Sequence, residues 1–364
     1  MSRTGRADAR SARLVVQAWL GTRLVMLVVA TWVMLTDHRA PGDVFGNWDA
    51  AHYLAIARDG YAEANSIAFF PGWPLLVRGA SLTGLPPLVC GVLLALAASA
   101  LAAWALYRWG GAPAAIAWLL APTAVFTLVP YTEAIFCAAA FWAWERASRR
   151  QWGAAAVLTA VAASVRVSGL FLIAALAVLA LTQAGPARDR GRRLLWLALP
   201  VAVVAAYVGY LYSMTGRWTA WYDAQTAGWA RGFAWPWDSL RHTLEVLEPG
   251  AYADHPEWHW VFLAEVVSMA VGLLVTGICL VQRRWAEATW VGVQLAAFAT
   301  SYWFMSVNRA VLLWFPLWIL LGHFAEGRRR LPAWRVAANA VAVLVTVAVQ
   351  ALWAWLFFTG RWAS

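Results

Sequence analysis

The chain has 364 residues, of which 62% are hydrophobic and 13% charged, with a formal charge of +10, mean hydropathy +0.61 and 27 Trp. A soluble protein of this size would carry about a quarter charged residues, so a soluble globular domain is excluded. All 28 basic residues are Arg, placed in short stretches between apolar runs, which is the pattern of membrane orientation and not of nucleic-acid binding.

Taken in order, apolar stretches of spanning character lie near 14–36, 88–108, 112–129, 131–147, 151–165, 168–184, 194–213, 260–281, 286–304, 310–325 and 335–358. They predict an all-α polytopic membrane protein of about eleven transmembrane helices, forming one domain over 1–364 without a separate soluble domain. The first run is too long for a signal-peptide core and is expected to stay in place. With the N-terminus in the cytoplasm, 18 of the 28 Arg fall inside, in the sets Arg3, Arg6, Arg10, Arg13; Arg108; Arg146, Arg149, Arg150; Arg188, Arg190, Arg192, Arg193; Arg283, Arg284; and Arg328, Arg329, Arg330, Arg335. The same count puts the C-terminus and 12 of the 18 acidic residues outside. Segment 68–83 is apolar but short and holds Pro71 and Pro74, so it is expected to lie in the outer interface, or to dip in and return on that side, and not to cross. Two outer loops result, 37–87 and 214–259. The inner loops leave no room for a nucleotide-binding domain, and Walker and Rossmann motifs are absent. The lack of Lys beside abundant Ala, Leu and Val points to a GC-rich coding bias, hence a bacterial plasma membrane. Cys90, Cys137 and Cys279 fall inside apolar runs and read as buried hydrophobes.

The ionisable groups of the outer face are concentrated in a few islands. In "FGNWDAAHYLAIARDGY", Asn47 is the expected N-cap of a helix that carries Asp49, His52, Tyr53 and Ile56 on one face. Helix amides favour the ionised Asp49, which either only caps the helix or supplies a reactive carboxylate. His52 lacks companions at metal-ligand spacing and is expected to orient or pack. In "LVPYTEAIF", Glu133 caps a helix or faces a polar cavity. Arg166, in "ASVRVSGLF", either snorkels to the interface or binds a phosphate. Gln225 and Arg231 follow among Trp residues, and Asn308 and Arg309 sit at the outer end of a helix.

"NWDAAHYLAIARDGY" followed by "AFFPGWPLLVR" resembles the paired motif of the glycosylphosphatidylinositol mannosyltransferase II family and its bacterial relatives. That motif reads W-D-x-x-H-(Y/F)-L-x-I-A-x-x-G-Y and then F-F-P-x-x-P-L-L. "APTAVFTLVPYTEAIFCAAAFWAWERA" is similar to the family's P-x-x-x-F-x-x-x-x-Y-T-E-(S/A)-x-F segment, and "SVRVSGLFL" to its R-x-(N/S)-G element, with Ser168 where eukaryotic members usually have Asn. The resemblance runs in order over roughly half the chain. It implies a membrane glycosyltransferase of the GT-C class that takes a sugar, most simply mannose, from a polyprenyl-phosphate donor to a lipid or glycolipid acceptor on the extracytoplasmic face. Asp49 would then be the general base of an inverting transfer, with Glu133 as the motif-borne second carboxylate. His52, Tyr131, Arg166, Gln225, Arg231, Asn308 and Arg309 would bind substrate. No metal or other cofactor is called for, because a lipid phosphate is already a good leaving group. The competing expectations are a GT-C transferase for another lipid-linked sugar, such as arabinofuranose or glucose, and, from a different class, a lipid or lipid-sugar transporter. Transport would favour ionisable residues near the bilayer midplane, where only Arg23 and Glu265 fall.

Overall fold

A computed structural model describes residues 3–326 and 333–363; Arg328, Arg329 and Arg330 of the expected inner cluster lie outside the described residues. Among the described residues the protein is all-α, and the β pairing is confined to one isolated bridge, Phe233 to Ser301. In chain order the helices are α1 (Arg3–Thr36), α2 (Pro41–Phe45), α3 (Asp49–Asp59), α4 (Gly72–Ser81), α5 (Pro87–Leu119), α6 (Glu133–Ser148), α7 (Trp152–Val165), α8 (Ser168–Thr182) and α9 (Ala187–Trp196). They continue as α10 (Ala198–Thr215), α11 (Ala220–Trp229), α12 (Pro236–Glu245), α13 (Pro256–Val281), α14 (Trp285–Ala299), α15 (Val307–Ala310), α16 (Phe315–Glu326) and α17 (Ala333–Phe358). Single 3-10 turns cover Ala64–Ala68, Pro122–Thr127 and Val311–Leu313.

Five of these helical stretches are long and apolar enough to cross a membrane: Ala9–Thr36, Pro87–Leu119, Ala187–Thr215, Pro256–Val281 and Ala337–Phe358. A sixth candidate is the broken pair Val307–Leu313 and Phe315–Phe324. Their outward faces carry Leu20, Leu24, Val28, Leu35, Leu273 and Leu274, all more than half exposed, as lipid-facing side chains are. The chain is an integral membrane protein. Helices α6, α7, α8 and α14 have 14 to 16 residues, below the roughly 20 that a perpendicular span needs. At ten residues, or about 15 Å, α4 is too short to cross, in keeping with the interfacial expectation for 68–83.

The described residues fall into two compact units, each assembled from separated stretches. The first takes residues up to 51, 88–141 and 312–363. Here the expected span over 112–129 must be corrected. Helix α5 kinks at Gly111 (φ 75°, ψ 178°), resumes through Pro113, ends at Leu119 and gives way to the 3-10 turn. Such a break exposes carbonyls that lipid cannot satisfy, so protein must. Gln350, fully buried in α17, donates its side-chain amide to the carbonyls of Leu119 (2.9 Å) and Ala121 (3.0 Å). Arg23, buried midway along α1, donates to the Thr127 hydroxyl at 2.6 Å and to Thr22 at 3.0 Å. Buried Ala95, Ala98, Ala102 and Ala105 on α5 keep side chains small where helices approach.

The second unit takes residues 52–87 and 142–311. Helix α14 packs on α8 and α13, α10 packs on α7, and α4 rests against α7. Arg193, which the charge pattern assigns to an inner loop, is only 5% exposed. Its guanidinium donates to the carbonyls of Gln183 (2.8 Å) and Ala184 (3.0 Å), closing the C-terminal end of α8 with a cation where the helix dipole favours one.

Candidate active site

In the first unit, the turn that delivers Asp49 is held from several sides. Trp48 adopts φ 56°, a left-handed conformation that a bulky side chain takes only when its surroundings impose it. Its indole N–H donates to the Arg361 carbonyl at 3.2 Å, and its ring meets Trp362 edge-on with centroids 5.2 Å apart. Asn47 is not the side-chain cap expected from the sequence. Its amide donates to the carbonyls of Phe357 (2.9 Å) and Val44 (3.2 Å), tying the turn to the last turn of α17. Arg39 adds a bond to the Phe358 carbonyl at 2.8 Å, and Phe45 packs on Phe358.

Asp49 then opens α3, half-buried, and its backbone N–H donates to the Tyr131 hydroxyl at 3.0 Å. This bond joins "NWDAAHY" directly to "PYTE", two segments eighty-two residues apart. Tyr131 is 1% exposed and wedged against Phe126 and Phe357. Two residues later Glu133 begins α6, also 1% exposed. The unit therefore presents the half-buried Asp49 on a braced turn and the enclosed Glu133 at the start of α6.

The second unit holds the other paired motif. Three successive carbonyls of "IAF" are captured by side chains from distant segments. Tyr207 donates to Ile67 (2.8 Å) and to Phe69 (2.9 Å), Tyr61 to Phe69 (2.7 Å), and both Trp221 (3.1 Å) and Gln225 (3.0 Å) to Ala68. Burial pushes the Tyr61 phenol up, so it stays a proton donor. Phe69 is the hub of an aromatic cluster: His52 stacks on it at 4.9 Å, and Tyr53 and Trp229 meet it edge-on at 4.9 and 5.2 Å. His52 thus packs into this cluster. Gln225 gives one amide proton to the backbone here.

The motif's next residues explain their own identity. A Cβ on Gly72 would sit 2.7 Å from the Ser164 carbonyl oxygen, and one on Gly169 would sit 2.8 Å from the Ala163 nitrogen. Only glycine lets "FFPGWP" lie against "SVRVSG" and lets α8 turn back on α7. Between those close approaches Arg166 breaks the two helices in an extended conformation (φ −164°, ψ 159°), half-buried, its carbonyl accepting from Gly169.

Arg231 donates to the Met305 carbonyl at 3.4 Å, and the neighbouring backbone pairs with Thr300 and Ser301. Asn308, at 4% exposure, is a structural residue. Its amide donates to the Val261 carbonyl, its oxygen accepts from Ser268, and its backbone N–H bonds the buried Glu265, which also holds the Ser306 N–H. Arg309 follows in the same turn, half-buried. Tyr61 and Phe69 belong to the two halves of the paired motif, but the sequence assigned neither a role. It did not single out Tyr207, inside the expected span 194–213, or Trp229, in the second outer loop, whose aromatic character membrane belts explain equally well. Among the described residues, no three His, Cys, Asp or Glu side chains cluster closely enough to hold a metal ion.

No family model matches the chain. It is similar to GPI alpha-1,6-mannosyltransferase 2 of Mus musculus, with 38% identity over 144 residues, and to the protein of that name from Homo sapiens, with 35% over 143. Each match covers 34% of this chain and 29% of the relative, so the similarity spans less than a third of those proteins. Among solved structures, the crystal structure of ArnT from Cupriavidus metallidurans bound to undecaprenyl phosphate aligns over 94% of this chain and 76% of that one, with 18% identity and a TM-score of 0.48.

Proposed function

We propose that the chain is a GT-C glycosyltransferase, an α-mannosyltransferase that moves mannose from polyprenyl-phosphate-mannose to a lipid or glycolipid acceptor at the extracytoplasmic face of a bacterial plasma membrane. The observation that carries the reading is the bond from the Asp49 backbone to Tyr131. It unites two of the segments that resemble the mannosyltransferase family, on the turn that carries the half-buried Asp49. The similarity to GPI alpha-1,6-mannosyltransferase 2 supports the sugar.

In this reading the acceptor hydroxyl oxygen attacks the anomeric carbon while Asp49 takes its proton. The bond from that carbon to the phosphate oxygen breaks, its electron pair leaves with the lipid phosphate, and the anomeric configuration inverts. Arg166 stabilises the departing charge, with Arg231 as a second candidate. Retention would require Glu133 as a nucleophile, and its 1% exposure argues against attack on a bulky lipid-linked sugar. The test is Asp49→Asn in proteoliposomes supplied with polyprenyl-phosphate-mannose and lipid acceptors, with products read by mass spectrometry. Loss of a general base should lower kcat by about 10²–10⁴-fold with donor KM nearly unchanged. Full activity in this variant refutes the assignment.

A further inference from the structure

At the end of α8 remote from Arg166, a cleft of about 610 Å³ opens between that helix, α9 and the start of α14. We propose that it binds the phosphate headgroup of an anionic phospholipid. Its polar lining is Thr182, Gln183, Arg190, Arg283, Arg284 and Glu287. Arg284 pairs with Glu287 at 3.2 Å, which leaves two positive charges uncompensated. Those belong to Arg190 and Arg283, both exposed and, among the described residues, without an ion pair.

Guanidinium groups suit a phosphodiester because they offer paired donors in its own plane. The fold fixes their positions. Arg193, one turn along α9 from Arg190, is locked into the carbonyls that end α8, so Arg190 is presented from an anchored helix. Arg283 and Arg284 lie in the tight connection between α13 and α14, where Arg283 takes φ 56°. The first residues of α14, Trp285 to Glu287, line the same opening, so the positive end of this fifteen-residue helix adds to the field for an anion.

The apolar rim argues for a lipid over a soluble phosphate. Leu181 is 50% exposed, Trp285 48% and Val281 86%, each at the end of an apolar helix where acyl chains would lie. A basic pocket between membrane helices beside an interfacial Trp is the arrangement that holds anionic headgroups. The inference is independent of the reaction proposed above.

Native mass spectrometry of the full chain in mixed micelles of phosphatidylglycerol and phosphatidylcholine reads the site directly. The wild-type chain should retain phosphatidylglycerol in preference to phosphatidylcholine. The double variant Arg190→Gln, Arg283→Gln should lose about tenfold or more of that preference, the scale of a lost charge-assisted contact. Arg283→Lys should keep part of it, and Arg188→Gln, on α9 but outside the lining, should keep all of it. Equal retention of both lipids by the wild type, or equal phosphatidylglycerol retention by the double variant, overturns the proposal. Displacement of phosphatidylglycerol by millimolar inorganic phosphate would also overturn it, by showing a site for the free anion. An unchanged melting temperature in the double variant shows that the loss is not one of folding.

Discussion

Tyr131 does its work through a single oxygen. With Tyr131→Phe, the Asp49 N–H loses its acceptor at the turn that also carries the carboxylate, while the ring still fills its place against Phe126 and Phe357. An unmade hydrogen bond of this kind costs about 1–3 kcal/mol. We expect kcat to fall about tenfold with donor KM little changed, since 1.4 kcal/mol is a factor of ten. Steady-state assays in proteoliposomes check this, and a rise in KM at constant kcat would instead make Tyr131 a substrate-binding residue. The motif made Asp49 and Tyr131 legible as residues, but nothing in their spacing showed that one would brace the other. Asn47 was misread for a related reason: the residue type fits a cap, yet the choice between a cap and a tie to α17 depends on Phe357, 310 positions away. Gln225 and Asn308 were expected to bind substrate, and their spacing gave no sign of the backbone partners they also hold. In the structure each answers a backbone group that the fold would otherwise leave unsatisfied.

At the scale of elements, local sequence located most helices but not their lengths. Hydropathy marked 112–129 as one apolar run, and the break after Leu119 depends on Gln350 and Arg23, which supply partners from α17 and α1. A window of apolar residues cannot report those partners. That α4 is too short to cross was legible, because its Pro residues and the short apolar run both argue against a span. Its two glycines, one at the first position and one near the end, make a paired test. Gly79 has nothing within 4 Å of where a Cβ would stand, whereas Gly72 faces Ser164. Gly72→Ala should therefore destabilise the protein by about 1–3 kcal/mol, the usual scale of overpacking. Gly79→Ala should be neutral or stabilising by up to about 1 kcal/mol, from helix propensity alone. Thermal unfolding in detergent compares the two. Equal midpoints would show that "FFPGWP" and "SVRVSG" are not in the close contact described.

At the scale of the whole molecule, the remaining question is which face of the membrane each end of a span occupies. Helix α13 has 26 residues, about 39 Å, and so outreaches the roughly 30 Å hydrocarbon layer. Its ends must emerge on opposite sides. Asp254 and Glu257 flank its start, Arg283 and Arg284 follow its end, and the α8–α9 turn that precedes Arg188 lines the same cleft as that arginine pair. Positive-inside bias then predicts that the arginine end faces the cytoplasm and that the acidic end, with α11 and α12, faces the other side. The three native cysteines are all buried and give a quiet background for labelling. Asp254→Cys should react with a membrane-impermeant maleimide in intact cells, and Arg188→Cys only after the cells are opened. The reverse pattern would turn the molecule over and move the proposed chemistry to the cytoplasmic face, where the lipid-linked donor would have to be presented from the opposite leaflet. Reaction of both positions in intact cells would mean that α13 does not cross at all, despite its length and apolar character.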